Sequence, residues 1–287
     1  MKYRRSIAGM IAGAAALSAA TFSFAQDPAF YQTVEQGFLK QVAPLGNGET
    51  PRLSNGKPDL TGYWASPVRW GVGNVPPPPG VIYGARHLGT GEPDQAMMNR
   101  ARTNRPIYKP EYWDKVQSLD FGPIVIDPQF LGKPQGVPRN GPPAWVVQSK
   151  DWISIFSGLY SSEVRLVPTD GRPLTDFDKG GDTDLGIGVG HWEGDVLVIQ
   201  SEGFGDRTWL YWAGYFHTVG MKVTERYTRR GNLLIYDVTV DDPEVLQEPW
   251  VLDTNIRVLN TKGERPEEIG EFQENDGAHM LDQYYRG

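Results

Sequence analysis

The chain has no cysteine in its 287 residues. That excludes disulfides, thiolate metal sites and a cysteine nucleophile together, so stability has to come from a buried core. Long apolar runs are equally scarce. Beyond residue 25 no stretch approaches the ~20 apolar residues that a spanning helix needs, and the remaining 262 residues read as soluble and able to bury one substantial core. Basic residues are in the minority, 28 Lys and Arg against 35 Asp and Glu. Nucleic acid is therefore excluded as an expected partner, because binding its phosphates takes a basic surface. The G-x-S-x-G elbow of serine hydrolases, the G-x-G-x-x-G fingerprint and the P-loop are missing too. Gly186-Ile187-Gly188-Val189-Gly190 has alternate glycines, but it leads into a Trp192-Glu193-Gly194-Asp195 turn and a strand rather than a helix.

What the sequence does have begins with an address. Lys2, Arg4 and Arg5 precede an apolar run from Ile7 to Ala20, and Ser23-Phe24-Ala25 supplies a small-x-small cleavage site. This is the pattern of a secretory signal peptide over residues 1–25, so the mature protein is expected in the periplasm or outside the cell, with no stable membrane insertion after cleavage. Arg4-Arg5 also fits the twin-arginine route. Cleavage removes three basic residues and leaves a net charge near −10.

Residues 26–143 should hold a helix and a long wrapping segment. Asp27-Pro28 reads as a cap with proline in the first turn, and Phe30, Val34, Phe38 and Val42 then form one apolar stripe. From Leu45 to about Asn104 the chain is rich in proline and glycine yet carries Trp64, Trp70 and Tyr83, which need somewhere to pack. Pro110, Tyr112, Trp113 and Val116 predict one more short helix. Residues 144–287 change rhythm, and short Val-, Ile-, Trp- and Tyr-rich runs predict seven strands: 144–148, 152–157, 164–167, 196–201, 222–229, 233–240 and 250–259. With short connections and no intervening helices, the expected fold is mainly β, an antiparallel meander closing into a barrel or strongly curved sheet, calycin- or lipocalin-like, in one cooperative domain with residues 26–143. In the last strand Trp250, Leu252, Thr254, Ile256 and Val258 should share one face.

Chemistry is sought where charge or aromatic rings meet this scaffold. Period-2 reading of Met221, Val223, Glu225 and Tyr227 aims the Glu225 carboxylate at the core, with Arg226 pointing away. A carboxylate so placed must be paired, hydrogen-bonded or protonated, which suits a general acid or base and equally a structural ion pair. Just ahead of it, Trp209, Tyr211, Trp212, Tyr215 and Phe216 crowd a nine-residue stretch ending in His217. Such a loop either caps a cavity and stacks on an apolar or aromatic ligand or plugs the barrel. His217 and His191 are the histidines of the strand-rich half, and histidine is the side chain best suited to proton transfer near neutral pH. The candidate catalytic set is thus His217, Glu225, His191 and Asp206, with Trp209, Tyr211, Trp212, Tyr215, Arg226 and Tyr227 as candidate substrate contacts. No cofactor is expected. A zinc or iron site from His191, His217 and Glu225 is chemically acceptable but lacks H-x-H or H-x-x-x-H spacing. Asp176, Asp178, Asp182 and Asp184 form an acidic loop that fails the EF-hand pattern and reads as solvated.

Several strings taken together resemble a large family of exported bacterial proteins: Asn55 to Trp64, Pro134-Gln135-Gly136-Val137-Pro138-Arg139, Thr169-Asp170-Gly171-Arg172-Pro173, Gly190 to Val198, Glu225-Arg226-Tyr227, and Asp242-Pro243 with Pro249-Trp250. The resemblance implies a periplasmic location and a β-rich fold and carries no assured activity. Two departures stand out. The family pattern has a cysteine where this chain has Gly132, and histidine-proline after the D-G-R turn, where this chain has Leu174-Thr175 behind Pro173.

Three functions remain open at this stage. The first is a lyase, isomerase or hydratase moving protons through His217 and Glu225 on an apolar or aromatic substrate. The second is a lipocalin-like binding protein without a catalytic step, for which Gly190-His191-Trp192 supplies a thin G-x-W warrant. The third is an envelope structural or assembly protein using the aromatic loop as an interface.

Overall fold

A computed structural model describes residues 43–65, 106–120, 127–128, 133–157, 163–211, 214–252 and 254–261. All belong to one compact unit, residues 42–75 and 104–287. The leader, the helix expected after Asp27-Pro28, most of the Pro/Gly-rich segment and Trp212 lie outside the described residues.

The architecture is mainly β, a nearly closed antiparallel barrel. In chain order the strands are β1 Gly62–Ala65, β2 Trp145–Gln148, β3 Trp152–Ser157, β4 Glu163–Pro168, β5 Ile187–Glu193, β6 Val196–Glu202, β7 Trp209–Tyr211, β8 Tyr215–Phe216, β9 Lys222–Arg230, β10 Leu233–Asp241, β11 Trp250–Val251 and β12 Asn255–Leu259. The expected helix near Pro110 is present as a 3-10 turn, Pro110–Tyr112, running into α1, Trp113–Asp120; α2, Asp176–Lys179, is a single capped turn. Nine strands follow one another as β4-β3-β2-β1-β12-β10-β9-β6-β5, with β11 pairing β10, and β7-β8 stand apart as a small hairpin.

The strongest part is the β9-β10 hairpin. Its register runs unbroken from Leu233↔Arg230 to Asp241↔Lys222 across the two-residue Gly231-Asn232 turn. Val223, Glu225, Tyr227 and Arg229 on β9, and Leu234, Tyr236, Val238 and Val240 on β10, face inward and are buried, as a period of two requires. Leu197 and Ile199 of β6 continue that face opposite Tyr227 and Glu225.

The final strand departs from expectation. Val240 pairs Trp250 and Thr239 pairs Val251, whereas Ile235 pairs Ile256 and Leu233 pairs Val258. The register slips by one residue between the two pieces, so Trp250 faces the interior with Val240 while Ile256 and Val258 lie on the opposite face with Ile235 and Leu233. A clean alternation in sequence thus spans two faces.

The ends of the nine-strand path meet at a seam. Eight successive antiparallel pairings separate β4 from β5, so the two edges run in the same direction. They approach closely without forming a ladder. A Cβ built on Gly190 would lie 3.3 Å from Pro168 O and from Thr169 Cγ2, and one on Gly188 would lie 3.5 Å from Val167 Cγ2. The Gly171 amide, just beyond β4, donates to Gly190 O at 3.0 Å. The alternate glycines of β5 are what let the edges come together, a role that glycine has where backbones approach.

Candidate functional site

Three groups of polar and aromatic side chains are built on this frame, together with one groove. Glu225, at the centre of β9, is fully buried inside the barrel. Arg165 of β4 binds it through both terminal nitrogens, at 2.6 and 2.7 Å, and the hydroxyls of Tyr227 and Tyr236 donate to Glu225 Oε1 at 2.7 and 2.8 Å. Burial alone would push the carboxyl up; the Arg165 charge and the three donor side chains override it and hold Glu225 below the ordinary glutamate range. Burial likewise pushes both tyrosines well above the usual phenol value, with the Glu225 charge adding to it, so they stay protonated donors. The pair connects β4 at one edge of the sheet to β9, two strands inside the other edge. It spans the seam in place of a ladder.

His217 follows β8 and is buried. Its Nδ1 lies 3.0 Å from Thr218 O, a carbonyl that can only accept, so Nδ1 carries the proton and Nε2, 2.8 Å from Thr208 Oγ1, accepts the threonine hydroxyl. Burial lowers the pKa of the ring and keeps it neutral. Buried Asp242 anchors the same corner, accepting from the Thr218 amide and hydroxyl at 2.7 and 2.9 Å. The aromatic loop is the β7-β8 hairpin. Trp209, Tyr215 and Phe216 are buried, and Tyr108 meets Tyr215 and Phe216 with ring centroids 6.1 and 5.3 Å apart. Arg139, in a buried bidentate pair with Asp127, lies 6.0 Å from the Trp209 ring. Tyr211 is half-buried and Asp206 is exposed.

His191 and Arg226 sit on the outer surface, joined through Glu193 at 3.2 and 2.7 Å. The structure therefore brings Glu225 together with Tyr227, and His191 with Arg226, but distributes the candidate residues over three separate neighbourhoods. Among the described residues no group of three or more His, Asp or Glu side chains is placed to hold a metal ion.

The groove lies along the seam. It encloses about 690 Å³ and is lined from β3 and β4 by Trp152, Val164, Arg165, Leu166 and Val167, and from β5 by Ile187, Gly188 and Val189. Arg172 closes one side, its guanidinium 5.2 Å from the Trp152 ring and tied to Asp170 at 2.6 Å. That contact holds the exposed Asp170 carboxyl down to about 2. Of the lining acids, Asp178 caps α2 through Thr175 and Asp184 accepts from Arg207 at 3.1 Å. The volume falls within the range of small-molecule sites.

Sequence reasoning missed Arg165, Tyr236 and the groove. In Glu163-Val164-Arg165-Leu166-Val167 the apolar Val164 and Leu166 flank Arg165, so a period-2 reading aims Arg165 outward, whereas the structure turns Glu163, Arg165 and Val167 inward and leaves Val164 and Leu166 exposed. No family model, no curated protein and no solved structure matches the chain.

Proposed function

We propose that the protein is an exported, small-molecule-binding β barrel that takes an apolar or aromatic ligand into the groove between β4 and β5. The observation that carries this reading is the groove itself: about 690 Å³, walled by Trp152, Val164, Leu166, Ile187 and Val189, with Arg172 stacked at one side. It also gathers Pro134 and Arg172-Pro173 from two of the motif strings that resemble the exported family. The signal-like first 25 residues support export. Binding is favoured over proton-transfer catalysis because both ring nitrogens of His217 and both oxygens of Glu225 already have protein partners. Neither residue lines the groove.

Titration with the fluorescent apolar amine N-phenyl-1-naphthylamine tests this. Saturable binding is expected, weakened about tenfold, ~1.4 kcal/mol, by Leu166→Asp. Leu166 is 64% exposed, so the new charge should leave the fold intact. Trp145→Ala, outside the groove lining, should change nothing. Equal binding by wild type and Leu166→Asp would remove the groove from consideration. A candidate ligand recovered with altered mass would restore the catalytic reading.

A further inference from the structure

We propose that the floor of the groove recognises an uncharged hydrogen-bond acceptor, a carbonyl oxygen on an otherwise apolar or aromatic ligand, through Arg165 and Ser201; this rests on the groove being the ligand site. Arg165 lines the groove, and its side chain is only 7% exposed. Its terminal nitrogens are committed to Glu225 and Tyr227, while its Nε–H has no hydrogen-bond partner. Ser201 of β6 is fully buried, and its hydroxyl also lacks a partner.

Ser201 is opposite Gly188 in the β5-β6 register, and Gly188 lines the groove. A Cβ built on Gly188 would lie 2.9 Å from Ser201 Oγ and 3.1 Å from Ile199 Cγ2. Glycine at position 188 keeps any side chain of groove-lining β5 away from this hydroxyl, which lies just behind the lining residues. Buried donors are costly to leave unsatisfied, and most find an acceptor. Both groups here are able to donate, so the complementary group is an acceptor.

Charge then narrows the class. The Arg165 guanidinium is neutralised in bidentate fashion by Glu225, so a carboxylate entering beside it would bury a second negative charge against a cation already paired. A ketone, aldehyde or ester oxygen brings the acceptor without that charge. The apolar walls take the rest of the molecule.

The test compares 2-acetylnaphthalene with 2-ethylnaphthalene, near-isosteres that differ in the carbonyl, by competition against N-phenyl-1-naphthylamine on wild type and Ser201→Ala. The ketone should bind about tenfold more tightly to wild type. Ser201→Ala should remove most of that preference while leaving the affinity for 2-ethylnaphthalene unchanged, which also reports that the groove is intact. Equal affinities on wild type, or a preference untouched by Ser201→Ala, would overturn the carbonyl inference and leave the groove as an apolar site. Failure of both ligands to compete would overturn the groove reading and this inference with it.

Discussion

The β9-β10 hairpin and the β4-β5 seam are held by different forces. In the hairpin, nine consecutive residue pairs keep one register, the inner face is apolar around Glu225, and Thr224, Arg226 and Thr228 alternate outward. At the seam the edges approach without a ladder, two glycines replace inward side chains, and the outward residues Val164 and Leu166 are exposed and apolar, in line with Trp145 and Val147 on β2. What crosses the seam is the Arg165–Glu225 pair and a single backbone bond from the Gly171 amide to Gly190 O. One side of the barrel is joined by a continuous backbone ladder and the other mainly by side chains, and the side without a ladder is the one that opens into a groove.

The comparison can be broken most severely at the pair. Arg165→Met leaves the Glu225 charge buried and without its cation, and should cost about 3–5 kcal/mol in urea denaturation. The double variant Arg165→Met/Glu225→Leu should recover most of that loss, because the unpaired charge goes with its partner. A double variant as unstable as the single one would show that the pair is needed for closure itself.

On the hairpin side, Leu234→Ala removes a fully buried side chain and should cost about 3 kcal/mol through lost burial and the remaining cavity. Its effect should appear as faster hydrogen exchange throughout β9 and β10. Those amides are otherwise expected to exchange more slowly than those on the free edge of β4.

Gly190→Ala sharpens the seam. The new methyl would meet Leu197 Cδ1 at 3.2 Å and Pro168 O at 3.3 Å, so overpacking should cost about 1–3 kcal/mol. Unchanged stability would mean that the edges can move apart freely.

The smallest expected effect is a slope with pH. Burial holds the folded His217 pKa below its ordinary 6.5, so the stability tied to the neutral ring is present above pH 6.5 and is lost as pH falls through the lowered value. Glu225, also depressed from its ordinary 4.5, adds a second loss only below pH 4.5. His217→Asn should flatten the first part of the acid profile and leave the second. An unchanged profile between pH 7 and 5 would argue against a neutral buried ring.

Strand identity was legible in the sequence wherever side chains alternate between apolar and polar. All seven expected strands are present, the last in two pieces. β5 escaped notice because glycine at 188 and 190 erases the alternation on the face that would reveal it, and glycine is a poor strand former in isolation. β1, β7 and β8 are too short to show a period. Glu225 was found as an inward charge, but its partner required pairing β4 with β9 across the barrel, 60 residues apart. The split of the last strand depends on a one-residue slip that the side chains on either side do not announce. The groove could not be read at all, since it belongs to the meeting of two strand edges rather than to any segment.

Strand parity sets what closing the seam would take. With an odd number of antiparallel strands the first and last point alike, so these two edges could join only as a parallel ladder, unlike the eight pairings that lead from one to the other. A single backbone bond, from the Gly171 amide to Gly190 O, stands there instead, with the groove beside it. The opening thus lies where the hydrogen-bonding pattern of the whole sheet would have to change.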